Sequence, residues 1–118
     1  MAPDPGRGDL APGMLELLIL RTLSVQTMHG YAIAQQIERL SEEVFRVEQG
    51  SLYPALERLQ RKGWVTSEWR ETPTKRRARY YTITPAGREQ LGEALSRFER
   101  TTLAIARVLR GADGAAGG

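Results

Sequence analysis

The segment of residues 49–63 and the pattern that follows it limit most strongly how this chain can fold. Leu52, Leu56 and Leu59 recur at helical spacing and predict a short amphipathic helix whose apolar stripe packs on a core. Gly63 predicts the end of this helix, because glycine readily takes the left-handed conformation of a helix cap. Directly after Gly63 the period changes from helical to alternating, so the helix must be followed at once by strands.

The start of this helix has two interpretations, and both depend on Pro54. A proline inside a helix clashes with the carbonyl four residues back, and here that residue is Gly50, which tolerates the distortion well. Alternatively, Ser51 is the N-cap and Pro54 lies in the first turn, where no backbone amide is needed. In both interpretations the helix begins near residues 49–51, and its outer face is mostly basic and hydrogen-bonding.

Two alternating segments joined by a basic loop predict a β-hairpin. Residues 64–70 alternate in polarity, and residues 78–83 alternate again, with Tyr81 and Ile83 on one face. Residues 72–77 have the length and composition of a loop that joins antiparallel strands. The hairpin therefore has a basic tip.

The charge of the chain is unevenly distributed. The formal net charge of all 118 residues is only +3. Residues 58–79, however, hold eight basic and two acidic side chains, which leaves +6 there and −3 over the rest of the chain. This asymmetry indicates one surface that meets a polyanion, although a merely solvated charged surface stays open as an alternative.

Two further helices are predicted before this region and one after it. The first begins near Pro12 and is apolar on more than one face, which indicates burial on several sides. The second runs from about Gly30 to Glu43. The last follows Thr84 as N-cap, ends near Arg110 and repeats apolar residues every seven positions.

A domain of this size offers little surface to cover the first and last helices, so a second copy of the chain is expected to cover them. The residues expected at this dimer interface are Leu17, Leu91, Leu95, Phe98, Ile105 and Val108.

Length and composition indicate one domain with short tails. Residues 1–9 are rich in Pro and Gly and predict a flexible N-terminal tail, and residues 111–118 predict a disordered C-terminal one. Between them lie a folded domain, residues 10–84, and a C-terminal dimerisation helix, residues 85–110.

The residues present do not favour an enzyme or a metal protein. The chain has no cysteine and a single histidine, His29, so we expect no metal site, no cofactor and no nucleophile–base pair. His29 is expected to cap a helix or turn. No segment has the length and apolarity of a membrane span, and no signal peptide pattern opens the chain. The sequence thus predicts a soluble, cytoplasmic protein.

Several short motifs resemble the PadR family of bacterial transcription regulators, and they occur in the family's order and spacing over roughly residues 10–95. They are His29-Gly30-Tyr31, Gly50-Ser51-Leu52-Tyr53-Pro54-Ala55-Leu56, Arg58-Leu59, Gly63-Trp64, Tyr80-Tyr81 and Ile83-Thr84-Pro85-Ala86-Gly87. Residues 47–51 depart from the commoner Ser-Pro-Gly-Thr and resemble the acidobacterial-type subgroup. This departure leaves the N-cap of the third helix open.

The resemblance implies a mainly α fold with a small β-hairpin, the winged helix-turn-helix, plus one long C-terminal dimerisation helix. It implies a homodimer that presents two recognition helices to a near-palindromic operator in double-stranded DNA and represses the genes behind it. It also admits release by a small hydrophobic or aromatic effector. In relatives with a ligand pore an aromatic residue of the last helix lines it, and Phe98 matches that position, with plain dimer core as the alternative.

The DNA contacts are assigned by chemistry. Amide, hydroxyl and guanidinium groups of the third helix can pair with base edges. The residues assigned to this role are Gln49, Ser51, Tyr53 and Arg58. Basic side chains of the wing can hold phosphates or reach the minor groove. The residues assigned to that role are Lys75, Arg76, Arg77 and Arg79.

Two other functions stay open from the sequence. One is a winged-helix module that binds protein, because a fold alone does not fix function. The other is a dimer that sequesters a small molecule and binds DNA only weakly.

Overall fold

The structure, a computed structural model that describes residues 10–117, consists of four helices and a small antiparallel sheet. The elements in chain order are α1 (Pro12–Leu23), β1 (Met28–His29), α2 (Gly30–Leu40), α3 (Gln49–Arg61), β2 (Val65–Glu71), β3 (Arg77–Ile83) and α4 (Pro85–Gly117). The tail predicted for residues 1–9 lies outside the described residues, as does residue 118. Among the described residues, no helix is both long and apolar enough to cross a membrane.

Helix α1 lies at the centre of the hydrophobic core. Ile19, Leu20 and Leu23 are each at most 2% exposed, and α1 packs against α2, α3 and α4 of the same chain. Leu17 belongs to this core as well, with 9% of its surface exposed. The several apolar faces of α1 are therefore covered within one chain, so their burial does not require the second copy that the sequence suggested.

Helix α3 docks on this core through the predicted apolar stripe. Leu52, Leu56 and Leu59 are each at most 1% exposed. Gly63 has a φ of +77°, and its amide donates a hydrogen bond of 3.0 Å to the carbonyl of Gln60. The predicted left-handed glycine at the end of this helix is confirmed.

The N-terminal end of α3 decides between the two interpretations of Pro54. The helix begins at Gln49, and Glu48 stands at the N-cap position without a side-chain cap bond. The Ser51 amide already donates to the Glu48 carbonyl at 3.0 Å, so Ser51 is not the N-cap. Pro54 lies inside the helix, and Gly50, four residues back, has no Cβ to add crowding where the ring displaces the backbone.

Strands β2 and β3 form the predicted hairpin, which is called the wing from here on. Its register pairs Val65 with Ile83 and Ser67 with Tyr81, so the buried ends of both strands share one face. The strand β1 joins β3 on its other side and gives the order β1-β3-β2. The sequence missed β1 because two residues are too short to show alternation.

Helix α4 is fixed to the sheet at its first turn. The Thr84 hydroxyl accepts a hydrogen bond from the Gly87 amide at 3.0 Å and donates one to the Gly63 carbonyl at 2.7 Å, which confirms the predicted cap. A Cβ on Gly87 would lie 2.1 Å from the carbonyl oxygen of Trp64. Glycine is therefore required at position 87 for the helix to approach the backbone this closely.

The C-terminal part of α4 extends well beyond the core. The helix continues to Gly117, whereas the sequence predicted an end near Arg110 and a disordered segment over residues 111–118. The glycines of this segment predicted an early end of the helix. Three alanines in residues 112–116 favour helix, however, and extending an existing helix costs little free energy.

Candidate nucleic-acid interface

The outer ridge of α3 consists of the residues opposite its buried stripe. Gly50, Pro54, Glu57 and Arg61 are all exposed there. Glu57 and Arg61 form an ion pair with 3.6 Å between Oε1 and Nη1, and both side chains are about two thirds exposed. A pair so exposed to water contributes little to stability, so both groups can change partners at low cost.

Tyr53 lies at the edge of this ridge and is held there by a glycine. A Cβ on Gly30 would lie 2.9 Å from the Tyr53 hydroxyl oxygen and 3.0 Å from Cε1, so the ring rests directly on this glycine. Tyr53 nevertheless stays 43% exposed. Next to it, His29 Nδ1 accepts a hydrogen bond of 3.2 Å from the Ala32 amide, which confirms its predicted role as a cap.

A groove with a volume of about 530 Å³ separates α3 from the wing. Its lining side chains come from both elements and are Tyr53, Glu57, Gln60, Arg61, Arg79 and Tyr81. At this boundary Arg79 Nε donates to Ser67 Oγ at 2.8 Å, and Ser67 Oγ donates to Gln60 Oε1 at 3.0 Å. These two hydrogen bonds connect the wing to α3.

Tyr81 also lines this groove. Burial raises the pKa of Tyr81 above its ordinary value of 10.0, and the nearby Arg79 guanidinium acts in the opposite direction. Because the pKa lies above 10.0, the hydroxyl is protonated at neutral pH and remains a hydrogen-bond donor.

The wing carries four basic side chains, Lys75, Arg76, Arg77 and Arg79, all of them exposed. Among the side chains that the structure describes, those of residues 10, 11 and 13–111, no carboxylate oxygen lies within 4.0 Å of any of them. The turn is closed by the Lys75 amide, which donates to the Thr72 carbonyl at 2.8 Å, and Lys75 has a φ of +63°. The structure thus brings the four predicted wing residues together at one end of the hairpin.

Arg58 occupies a different place from the one predicted. Its Nε lies 3.2 Å from one carboxylate oxygen of Glu16 in α1, and Lys62 Nζ lies 2.9 Å from the other. Glu16 is only 9% exposed, and a buried carboxylate needs compensating cations. Arg58 therefore joins α3 to α1, and its guanidinium is directed toward Glu16 and not toward the outer ridge of α3. The signal was present in the sequence, because Glu16 is the single acid within the apolar run of residues 14–20.

The other residues predicted to read bases lie near the N-terminal end of α3. Gln49 is exposed on the side of Tyr53 and near Tyr31, whereas Ser51 is exposed on the opposite side, near Arg46. The four predicted residues thus do not form one surface. The helical period of the sequence places Glu57 and Arg61 on the outer face of the helix, but the prediction gave them no contact with DNA and did not include Gln60.

The residues predicted for a dimer interface fall into two groups. Leu17 and Leu91 lie in the chain's own core, 9% and 6% exposed, and Leu95 is half-buried against it. Phe98, Ile105 and Val108 are 44%, 54% and 68% exposed, on the part of α4 that leaves the core. Only this second group is largely accessible to another molecule.

With this geometry established, comparison with known proteins identifies the family. The sequence model of the PadR-like transcriptional regulator family matches residues 19–93, which is more than half of the chain. The chain belongs to the PadR-like family of transcriptional regulators. This PadR-like regulator is 38% identical over 92 residues to the transcriptional regulator Rv3488 of Mycobacterium tuberculosis, with 75% of this chain and 82% of the relative covered.

Solved structures of other regulators have the same architecture. A transcriptional regulator from Clostridium thermocellum, Cth-833, superposes with a TM-score of 0.74 at 29% identity over 80% of this chain and 92% of that one. A PadR family transcription regulator from Clostridium difficile R20291 gives 0.73 at 26% identity over 82% and 99%. The predicted winged-helix fold with one long C-terminal helix is confirmed, in a family of regulators and not of enzymes.

Proposed function

We propose that this PadR-like regulator is a homodimeric repressor that acts in the cytoplasm by binding a near-palindromic operator in double-stranded DNA. The observation that carries the proposal is the arrangement of the wing and α3 around one groove. The wing offers four basic side chains without carboxylate partners among the described residues, and α3 offers an exposed ridge beside them. Cations of this kind can hold phosphates while the helix enters the major groove.

Base reading in this proposal belongs to the exposed N-terminal half of α3. Gln49 and Tyr53 offer an amide and a hydroxyl on one side of this end, and Ser51 offers a hydroxyl on the other. An amide can form two hydrogen bonds with adenine. Arg58 is left out of this group because Glu16 holds its guanidinium. Replacing Gln49 by Ala should then cost about 1–3 kcal/mol on the preferred site and relax the preference at one or two base pairs. Equal losses on mixed-sequence DNA would move Gln49 to the class of backbone contacts.

The proposed dimer rests on the exposed part of α4. Phe98 and Ile105 continue, at intervals of seven residues, the stripe that begins with the buried Leu91. A second copy would remove these exposed side chains from water, and this is the expected driving force for association. Replacing Phe98 and Ile105 by Asp should give monomers, measured by analytical ultracentrifugation, with the helical circular dichroism of the winged domain retained.

An effector would bind between the two α4 helices of this dimer, with Phe98 in the wall of its site. The resemblance to the PadR family supports this placement of the effector. Phe98 is 44% exposed and is therefore accessible enough to contact a bound molecule. We expect added aromatic compounds to release bound DNA from the wild-type protein. A Phe98→Ala variant that still forms dimers should lose this response.

The experiment that tests the function is selection of genomic DNA fragments by the purified protein at near-physiological salt. An enriched inverted repeat with half-sites separated by one or two helical turns is the expected outcome for a dimeric regulator. Retention without a shared sequence would leave a non-specific DNA binder. No retention by a folded dimer would contradict the proposal and favour a protein-binding module or a small-molecule-sequestering dimer.

A further inference from the structure

The two faces of the wing both pair an aromatic ring with arginine. On the face turned toward α3, the guanidinium carbons of Arg77 and Arg79 lie 5.5 Å and 5.9 Å from the ring centroid of Trp69. On the other face, the guanidinium carbon of Arg70 lies 5.4 Å from the ring of Tyr80. The wing therefore holds the same kind of contact twice, in two different settings.

The charges on the two faces differ. Arg70 forms an ion pair with Glu68 of its own strand, so its charge is compensated. Glu71 lies directly opposite Arg77 in the strand register, yet no ion pair within 4.0 Å joins these two described residues. The Arg77 guanidinium lies over the indole instead. The face that carries Trp69 consequently keeps two cations, Arg77 and Arg79, without a carboxylate within 4.0 Å among the described side chains.

The Trp69 face borders the groove beside α3. Trp69 pairs with Arg79 in the register and shares its face with Ser67, whose hydroxyl bonds to Gln60 of α3. Its side chain is 57% exposed, although burial of an indole is favourable. The fold therefore leaves a large aromatic side chain in water at the point where two arginines converge.

Stacking on a ring leaves a guanidinium able to bind phosphate. The contact uses the flat face of the group, so the N–H donors in its plane are not consumed by the ring. Arg79 gives its Nε donor to Ser67 Oγ and keeps its terminal N–H groups for a ligand. A free arginine loses much rotamer freedom when it is fixed on a ligand, and a ring that restricts it beforehand lowers this cost.

We propose that Trp69 is a positioning residue that holds Arg77 and Arg79 for the phosphates of the DNA strand that enters the groove between α3 and the wing. When a helix lies in the major groove with a wing beside it, one sugar-phosphate strand runs between the two elements. Two guanidinium groups on the same face of the wing can bind the phosphates of that strand. This inference rests on the proposed DNA binding and adds to it a residue that carries no charge.

The test uses the full chain and a fluorescently labelled duplex of mixed sequence, since phosphate contacts do not depend on sequence. Trp69→Leu removes the ring without changing the net charge, and we expect it to weaken binding about fivefold to tenfold, because two arginine side chains then lose their freedom only when DNA binds. Tyr80→Leu is the matched control, because it removes the equivalent ring from the opposite face, and its affinity should stay near the wild-type value. Trp69→Phe keeps an aromatic ring that attracts cations less strongly than indole, so this variant should bind DNA more tightly than Trp69→Leu and less tightly than the wild type.

A double-mutant cycle separates positioning from a direct contact. In a chain that already carries Arg77→Gln and Arg79→Gln, Trp69→Leu should cause no further loss of affinity. The same loss in both backgrounds would overturn the proposal, because it would mean that the indole stacks on DNA by itself. Equal losses for Trp69→Leu and Tyr80→Leu, accompanied by a lower melting temperature, would also overturn it by showing a purely structural role.

The wild-type protein in the same titration separates failure of the proposed role of Trp69 from failure of the proposed DNA binding. Absence of binding by the folded wild-type dimer at low salt would defeat the proposed function and this inference together. Normal wild-type binding with no change in Trp69→Leu would defeat the inference alone and leave DNA binding in place.

Discussion

Two basic clusters near each other in the sequence have different partners in the fold. Arg58 and Lys62, at the C-terminal end of α3, converge on the single buried carboxylate of Glu16. Arg76 and Arg77 of the wing have no carboxylate within 4.0 Å among the side chains that the structure describes. The first cluster holds two helices together, whereas the second is available to a ligand.

The difference is caused by the burial of the acid. The side chain of Glu16 is only 12% exposed, while those of Arg58 and Lys62 are 32% and 45% exposed. A buried carboxylate without a partner costs several kcal/mol, and two cations offset most of that cost. An arginine on a recognition helix therefore indicates a DNA contact only when no buried acid holds it.

Replacing Glu16 by Gln should have the largest effect on stability. The neutral amide leaves Arg58 and Lys62 without their counter-ion, and the expected loss is about 2 kcal/mol, less than for a fully buried pair because both cations reach water. Urea denaturation followed by circular dichroism measures this loss. The matched control, Glu57→Gln, breaks the exposed pair with Arg61 and should cost less than about 0.5 kcal/mol. Equal losses would contradict the distinction between the clusters.

Replacing Arg76 and Arg77 by Ala should weaken DNA binding and leave the stability of the fold almost unchanged. We expect about tenfold weaker binding to specific and mixed-sequence DNA, and a salt dependence reduced by up to about two phosphate equivalents. Stability should change by less than about 0.5 kcal/mol, because both side chains are exposed. Anisotropy titrations over a series of salt concentrations measure the slope, and an unchanged slope would remove the wing from the interface.

Replacing Arg58 by Gln sharpens the same comparison on α3. Since its guanidinium is held by Glu16, we expect a loss of stability of about 1 kcal/mol and an unchanged preference among operator variants. Competition binding with single-base variants of the selected operator measures the preference. A preference relaxed at one or two base pairs, without a loss of stability, would restore the base-reading role that the sequence suggested.

The smallest effect is expected at Glu71, the acid opposite Arg77 on the wing. Its charge should repel the phosphates that the neighbouring arginines attract, so Glu71→Gln should tighten binding about twofold to threefold at low salt. Because Glu71 and the DNA phosphates are both exposed to solvent, salt screens their repulsion, and this gain in affinity should disappear at high salt. A gain that persists at high salt would point to a rearranged wing and not to relieved repulsion.

Much of the fold could be predicted from local pattern. The stripe of Leu52, Leu56 and Leu59, the glycine cap at Gly63 and the hairpin each depend on residues close together in the sequence, and all three are confirmed. The short β1 could not be predicted, because it becomes a strand only by pairing with Tyr80 and Tyr81 far along the chain. Local propensity also gave the wrong end for α4, since helix growth overrode the glycines.

The candidate interface was predictable only in part. The basic run from Lys75 to Arg79 identified the wing, because a hairpin tip cannot bury four cations. The outer ridge of α3 followed from helical period, but Trp69 as a ring beneath two arginines did not, because it depends on strand register. The dimer interface remains a prediction, now confined mainly to Phe98, Ile105 and Val108, the exposed part of α4.

The sequence by itself determined the four helices and the hairpin, their order and the total charge, because periodicity and capping act over a few residues. Only the tertiary structure decided which charges are paired. Glu16 and Arg58 are separated by 42 positions. An acid in the apolar run of residues 14–20 indicates that a cation must compensate it, but nothing local shows that this cation is Arg58. The strength of an ion pair depends on distance and on exclusion from water, and both are set only when α3 packs against α1.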